Sequence, residues 1–219
     1  MTPLLRLQAV VLLAALGEQY DSLETQERSL ELGMWVFLAT EVLLFAALFA
    51  VYAAYRSMYL SDFKAGIEHN TLAFGTINMY VLLTSSLLAA LSVSAIRDGR
   101  PRSAGWLLAG TALLGAAFIA IKLYEYSKHW QEGSLPGRYY HYGELPTFGA
   151  NRFFTMYWVM TGFHALHVTA GVGVVSWMAA RAHRGFYTRA AHARLVIGTL
   201  YWHLVDVIWI FLWPLLYLS

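Results

Sequence analysis

The sequence predicts an all-α polytopic membrane protein with five transmembrane helices. Three observations predict it. Of 219 residues, 58% are apolar and only 13% are charged, against about 25% charged in an ordinary soluble domain. The charges lie between apolar runs instead of along them. Five of those runs are long enough to cross a bilayer, which takes roughly 20 residues. This composition excludes a disordered chain, a basic nucleic-acid-binding module and most soluble enzymes. A net charge of +2 points to no nucleic-acid partner.

The five runs cover about residues 30–57, 72–97, 103–128, 153–182 and 194–218. They read as helices because an open strand cannot satisfy its backbone groups in lipid. Pro3, Pro101, Pro136 and Pro146 fall outside the runs, and only Pro214 falls inside one, near its end, which agrees with these boundaries. Residues 1–29 form an approach segment and residues 30–219 the membrane domain. Within the approach, Leu4–Leu16 is apolar but too short to span. It has features of a secretory h-region, and the preferred expectation is an interfacial or partner-packed helix. Glu18–Arg28 reads as a solvated lead-in.

Lys and Arg set the orientation. Arg97, Arg100 and Arg102 follow span two, and Arg181, Arg184, Arg189 and Arg194 follow span four. Seven arginines in two short loops place that side, and the N-terminus, in the cytoplasm. The C-terminus and the longest loop, about 129–152, then face outward. The glycines and tyrosines of that loop suit an ordered surface segment.

Ionisable groups inside a span are costly and mark the places to look for function. Glu41 lies eleven residues after Leu30, roughly 16 Å deep at about 1.5 Å per residue. Desolvation disfavours its charged form, so a neutral, buried carboxyl is expected. His164 and His167, three apart, share a face of span four, and His203 and Asp206 share a face of span five. These five residues lie at similar depth. They read either as a buried hydrogen-bonded network or as histidine ligands for haem or a metal, with His164 facing His203. Lys122 and Glu125, three apart near the outer end of span three, read as a snorkelling interfacial ion pair. Small residues such as Gly171, Gly173, Ser85 and Ser86 read as sites of close helix approach. The chain has no cysteine, so thiolate metal sites are excluded. It has no GxSxG elbow, P-loop, dinucleotide fingerprint or HExxH. A proton-coupled transporter using Glu41 and Asp206 would be expected to show broken helices or inverted repeats, and the sequence shows neither.

Four segments carry a family resemblance. They are Gly33–Phe45, which includes Glu41; Asn78 with Val81–Ser86; Thr161–Val168, reading TGFHALHV; and Tyr201–Trp209, reading YWHLVDVIW. In order and spacing they resemble subunit III of haem-copper oxidases, including cytochrome c oxidase, over about residues 28–218. Lys122 stands where the family often has glutamine, and Val196 where many members have an acid. Five spans resemble the shorter bacterial form.

The resemblance implies an accessory subunit of a proton-pumping oxidase that reduces oxygen to water, within a bacterial plasma membrane. It implies no catalytic residue, cofactor or metal site in this chain. Haem and copper belong to partner subunits. It implies packing on subunit I, association with subunit II and other respiratory subunits, and support of sustained turnover and proton uptake. Phospholipid would lie in a cleft between a group of two helices and a group of three. Arg181, seventeen residues after His164, matches an arginine that the family places near a lipid phosphate. The accessory protein of nitric oxide reductases shares the intramembrane glutamate and the fold, and is the neighbouring branch.

Overall fold

The computed structural model describes residues 23–189 and 192–218. The chain forms α1 (Leu23–Met58), α2 (Leu60–His69), α3 (Leu72–Arg97), α4 (Pro101–Glu132), a 3-10 turn (Gly137–Tyr139), α5 (Phe148–His183) and α6 (Ala193–Tyr217). Five of these, α1, α3, α4, α5 and α6, are long and apolar enough to cross a membrane. The only β pairing among the described residues is one isolated bridge, Ser134 to Tyr140. The interfacial helix expected at Leu4–Leu16 lies outside the described residues.

Helix ends follow local chemistry. Pro101 opens α4, where its missing N–H has no intrahelical role. Thr147 caps α5, its hydroxyl accepting from the Ala150 N–H at 3.2 Å. Gly133 ends α4 at φ 81°, a conformation that an L side chain rarely adopts. Ser134 N–H then returns to the His129 carbonyl at 3.0 Å. The last turn of α6 leaves carbonyls free. Asn70 donates its amide to the Leu216 carbonyl at 2.9 Å, and Tyr52 donates its hydroxyl to Leu215. α1 and the α2–α3 junction therefore cap α6.

α2 stands where the sequence reading left a connection. It is a short amphipathic helix, burying Phe63, Gly66 and Ile67. Phe63 meets Tyr52 and Phe153 edge-on, with ring centroids 5.2 and 5.5 Å apart. The long loop is ordered against α5. Trp158 donates to the Ser134 carbonyl at 2.9 Å, and Asn151 to the Gly137 carbonyl at 3.1 Å.

The expected grouping of two spans plus three is not shown by the packing. The most extensive interfaces join α3 to α4 and α4 to α5, while α6 packs on α3, α5 and α1. α1 rests on α5 and α6 and is the least enclosed span; α6 is the most enclosed. Trp202 of α6 is fully buried, and its indole N–H donates to Ser85 at 3.1 Å. Its ring fills a slot made by two glycines. A Cβ at Gly115 would lie 2.5 Å from it, and one at Gly171 2.9 Å. Ser85 and Gly171 thus act as close-approach positions, whereas a Cβ at Gly173 would meet open space.

Gly115→Val should therefore force Trp202 out of its slot. Overpacking of this kind typically costs about 1–3 kcal/mol, read as a lowered unfolding midpoint in detergent. Gly173→Ala, whose Cβ meets open space, should not lower the midpoint.

Candidate functional site: buried polar groups of the bundle

Residues three apart on a helix project about 60° from one another at 3.6 residues per turn. That offset separates the two histidines of α5. His167 turns toward α1, and its Nε2 meets Glu41 Oε2 at 2.7 Å. Both side chains are 15% exposed. Tyr201 of α6 donates to the His167 carbonyl at 3.1 Å. His164 turns inward and is fully buried. It stacks on Trp209 at 5.1 Å between centroids and meets Phe118 edge-on at 5.4 Å. Neither of its ring nitrogens has a hydrogen-bond partner among the described residues.

On α6, His203 turns to α3, where its Nδ1 lies 2.6 Å from the Ser86 hydroxyl. Asp206 is buried one turn further on. Neither of its oxygens has a hydrogen-bond partner among the described residues. Glu41, His164, His167, His203 and Asp206 therefore do not form one network. Glu41 pairs with His167, His203 with Ser86, His164 is held by aromatic rings, and Asp206 is buried apart from these pairs. His164 and His203 address different neighbours and do not face each other as a pair of axial ligands would.

A second correction concerns Lys122 and Glu125. They are not a snorkelling pair at the interface: their side chains are 1% and 3% exposed. Lys122 Nζ donates to Glu125 Oε2 at 2.9 Å, to Tyr157 at 3.0 Å and to Tyr217 at 2.9 Å. Tyr217 in turn donates to Glu125 Oε1 at 2.7 Å. The ammonium also lies 5.3 Å from the centre of the Trp209 ring and 4.8 Å from that of Tyr157. Three donated hydrogen bonds exhaust an ammonium. The pair is thus fully coordinated by α4, α5 and α6. Sequence reading missed its burial because α4 runs on to Glu132, past the end of the apolar run. The tyrosines that enclose it lie 35 and 95 residues away.

At the opposite end of α5, Arg181 borders an open groove of about 390 Å³ lined by Trp177, Ala180, Arg184 and Phe186. Its guanidinium stacks 3.7 Å from the Phe186 ring centre and 4.6 Å from Trp177. Stacking orients the planar fork while leaving its N–H edges free for an anion. One further cluster joins residues distant in sequence. His69 Nε2 lies 3.0 Å from Glu132 Oε2, and His129 Nδ1 lies 3.8 Å from the same oxygen.

The family described as cytochrome c oxidase subunit III matches residues 15–219. The chain belongs to that family. It is 36% identical over 188 residues to cytochrome c oxidase subunit 3 of Thermostichus vulcanus, covering 85% of this chain and 86% of that one. It is 32% identical to cytochrome bo(3) ubiquinol oxidase subunit 3 of Pseudomonas putida, covering 85% and 84%. It is 28% identical to quinol oxidase subunit 3 of Bacillus spizizenii, covering 85% of each. The segments that carry the subunit III resemblance converge in space. Glu41 of the first meets His167 of the third, and His164 of the third stacks on Trp209 of the fourth. Ser85 and Ser86 of the second hold Trp202 and His203 of the fourth.

Two expectations follow from this subunit III core. Lys122→Met alone should strand Glu125 and cost about 3–5 kcal/mol, whereas the double change Lys122→Met with Glu125→Met should recover most of it, read by unfolding in detergent. Glu41→Ala should cost about 1–3 kcal/mol by leaving His167 unpaired. Glu41→Gln should retain the bond and assemble at wild-type yield.

Proposed function

We propose that this chain is the accessory subunit III of a proton-pumping haem-copper terminal oxidase in a bacterial plasma membrane. In this reading it packs on catalytic subunit I, alongside subunit II and other respiratory subunits. It holds no haem or copper and sustains turnover and proton uptake without chemistry of its own. The observation that carries the reading is that the four subunit III segments meet one another across α1, α3, α5 and α6. Their residues are spent on holding helices together: His167 on Glu41, His203 on Ser86 and Trp202 on Ser85. The relatives' names include both cytochrome c and quinol oxidases, so the electron donor is a property of the other subunits.

The bound partner in lipid is a phospholipid whose phosphate meets Arg181. Support comes from the stacked guanidinium and the open groove beside it. In this reading that groove and the N-terminus face the cytoplasm and the C-terminus faces outside, which the arginines of the two short loops support. The exposed apolar residues of α1, among them Trp35, Val42 and Leu43, give it a face for lipid or a neighbouring subunit.

Affinity purification in mild detergent should recover this chain with a haem-copper subunit I. Stripping it should leave the haem spectrum of the complex intact while turnover falls or decays. Loss of a haem together with this chain would overturn the accessory reading, and recovery with a nitric oxide reductase pair would move it to that branch. Arg181→Gln should lower the phospholipid retained per complex, counted by mass spectrometry, without loss of subunits.

A further inference from the structure

The end of the bundle that carries Glu132 holds three groups from two helices. One imidazole nitrogen each from His69 and His129 and one carboxylate oxygen of Glu132 all lie within 4.8 Å of one another. His69 closes α2, while His129 and Glu132, three apart, share a face of the last turn of α4. The left-handed Gly133 ends α4 immediately beyond them. Two nitrogen donors and one carboxylate are the donor set that Zn²⁺ favours in sites with an open fourth position. Tetrahedral ligand atoms at about 2.1 Å from zinc stand about 3.4 Å apart. Two of the three separations, 3.0 and 3.8 Å, bracket that value, and the third lies within 4.8 Å.

The surrounding hydrogen bonds set the protons. Tyr142 donates its one proton to Glu144 Oε2 at 2.7 Å. His69 Nδ1, 3.0 Å from the same phenol oxygen, must then donate to it. In neutral His69 this leaves the Nε2 lone pair facing the Glu132 carboxylate at 3.0 Å. Two lone pairs so placed repel unless a proton or a metal cation lies between them. A divalent cation relieves the contact and engages His129 as well. Tyr142, on the far nitrogen of His69, supplies the outer support that orients a metal-binding imidazole, whereas Ser134, 2.9 Å from His129 Nδ1, would yield that nitrogen to the ion and keep its bond to the His129 carbonyl. His129 is buried, while His69 and Glu132 are 21% and 40% exposed, so an ion can enter from solvent and keep a water ligand.

We propose that His69, His129 and Glu132 bind one Zn²⁺ that braces α2 and the 133–147 loop against the end of α4. The test uses the whole complex in mild detergent, after chelation, titrated with Zn²⁺ against a chromophoric chelator. Wild type should bind one equivalent more than Glu132→Gln or His69→Gln. Tyr142→Phe should keep that equivalent at 10- to 100-fold weaker affinity, the usual effect of losing an outer-shell partner. Co²⁺ in place of zinc should give the visible absorption of a four-coordinate site in wild type only. Equal zinc content in wild type and both variants would overturn the proposal. So would a wild-type Co²⁺ spectrum without a four-coordinate band, a measurement that needs no variant to fold.

Discussion

An ammonium removed from water must have its hydration replaced by side chains, and Lys122 imposes that demand on three helices at once. Glu125, Tyr157 and Tyr217 each accept one hydrogen bond from it. An uncompensated buried charge costs several kcal/mol, so α5 and α6 are held in the rotation and depth that bring their tyrosines to it. Tyr217 lies at the end of α6. Fixing it also fixes the last turn, whose carbonyls are then closed by Tyr52 and Asn70. The pair thereby sets where α1 and α2 meet the bundle.

Apolar packing then closes the structure below that pair. Trp209 lies beneath the ammonium and stacks on His164, and Trp202 sits a further two turns along the same helix in its glycine slot. Helix association in lipid gains little from hydrophobicity and rests on close packing and interhelical hydrogen bonds. α6 shows both: small residues on α3, α4 and α5 receive its Trp202, and serines on α3 bond its indole and the His203 imidazole. The subunit III segments are where this packing is most demanding. Part of their polarity is used in assembly of the bundle, in the bonds of His167 to Glu41, His203 to Ser86 and Trp202 to Ser85.

The two ends of the bundle differ in chemistry. One end presents arginines, with Arg181 clamped between aromatic rings at an open groove. The other presents histidines, tyrosines and acids drawn together by α2 and the ordered loop. An anionic headgroup suits the first and a cation the second.

The sequence alone determined the number of spans, their helical nature, the side that gathers arginine and the family. Each follows from one-dimensional information: apolar run length, backbone satisfaction in lipid, charge placement and motif order. It also singled out Glu41, His164, His167, His203 and Asp206, because a polar residue in an apolar run is visible without a structure. Only the tertiary structure decided which of them meet. His164 and His167 share a face by spacing, yet the 60° between them sends one to α1 and the other to Trp209. Helix α2 was hidden because Ser61, Asp62, Lys64 and Glu68 give ten residues the polarity of a loop. Lys122 reads as interfacial because it lies near the end of an apolar run. What enclosed it was Tyr157 and Tyr217, and His69 reached Glu132 across 63 residues, because burial belongs to neighbours that only helix rotation and packing bring together.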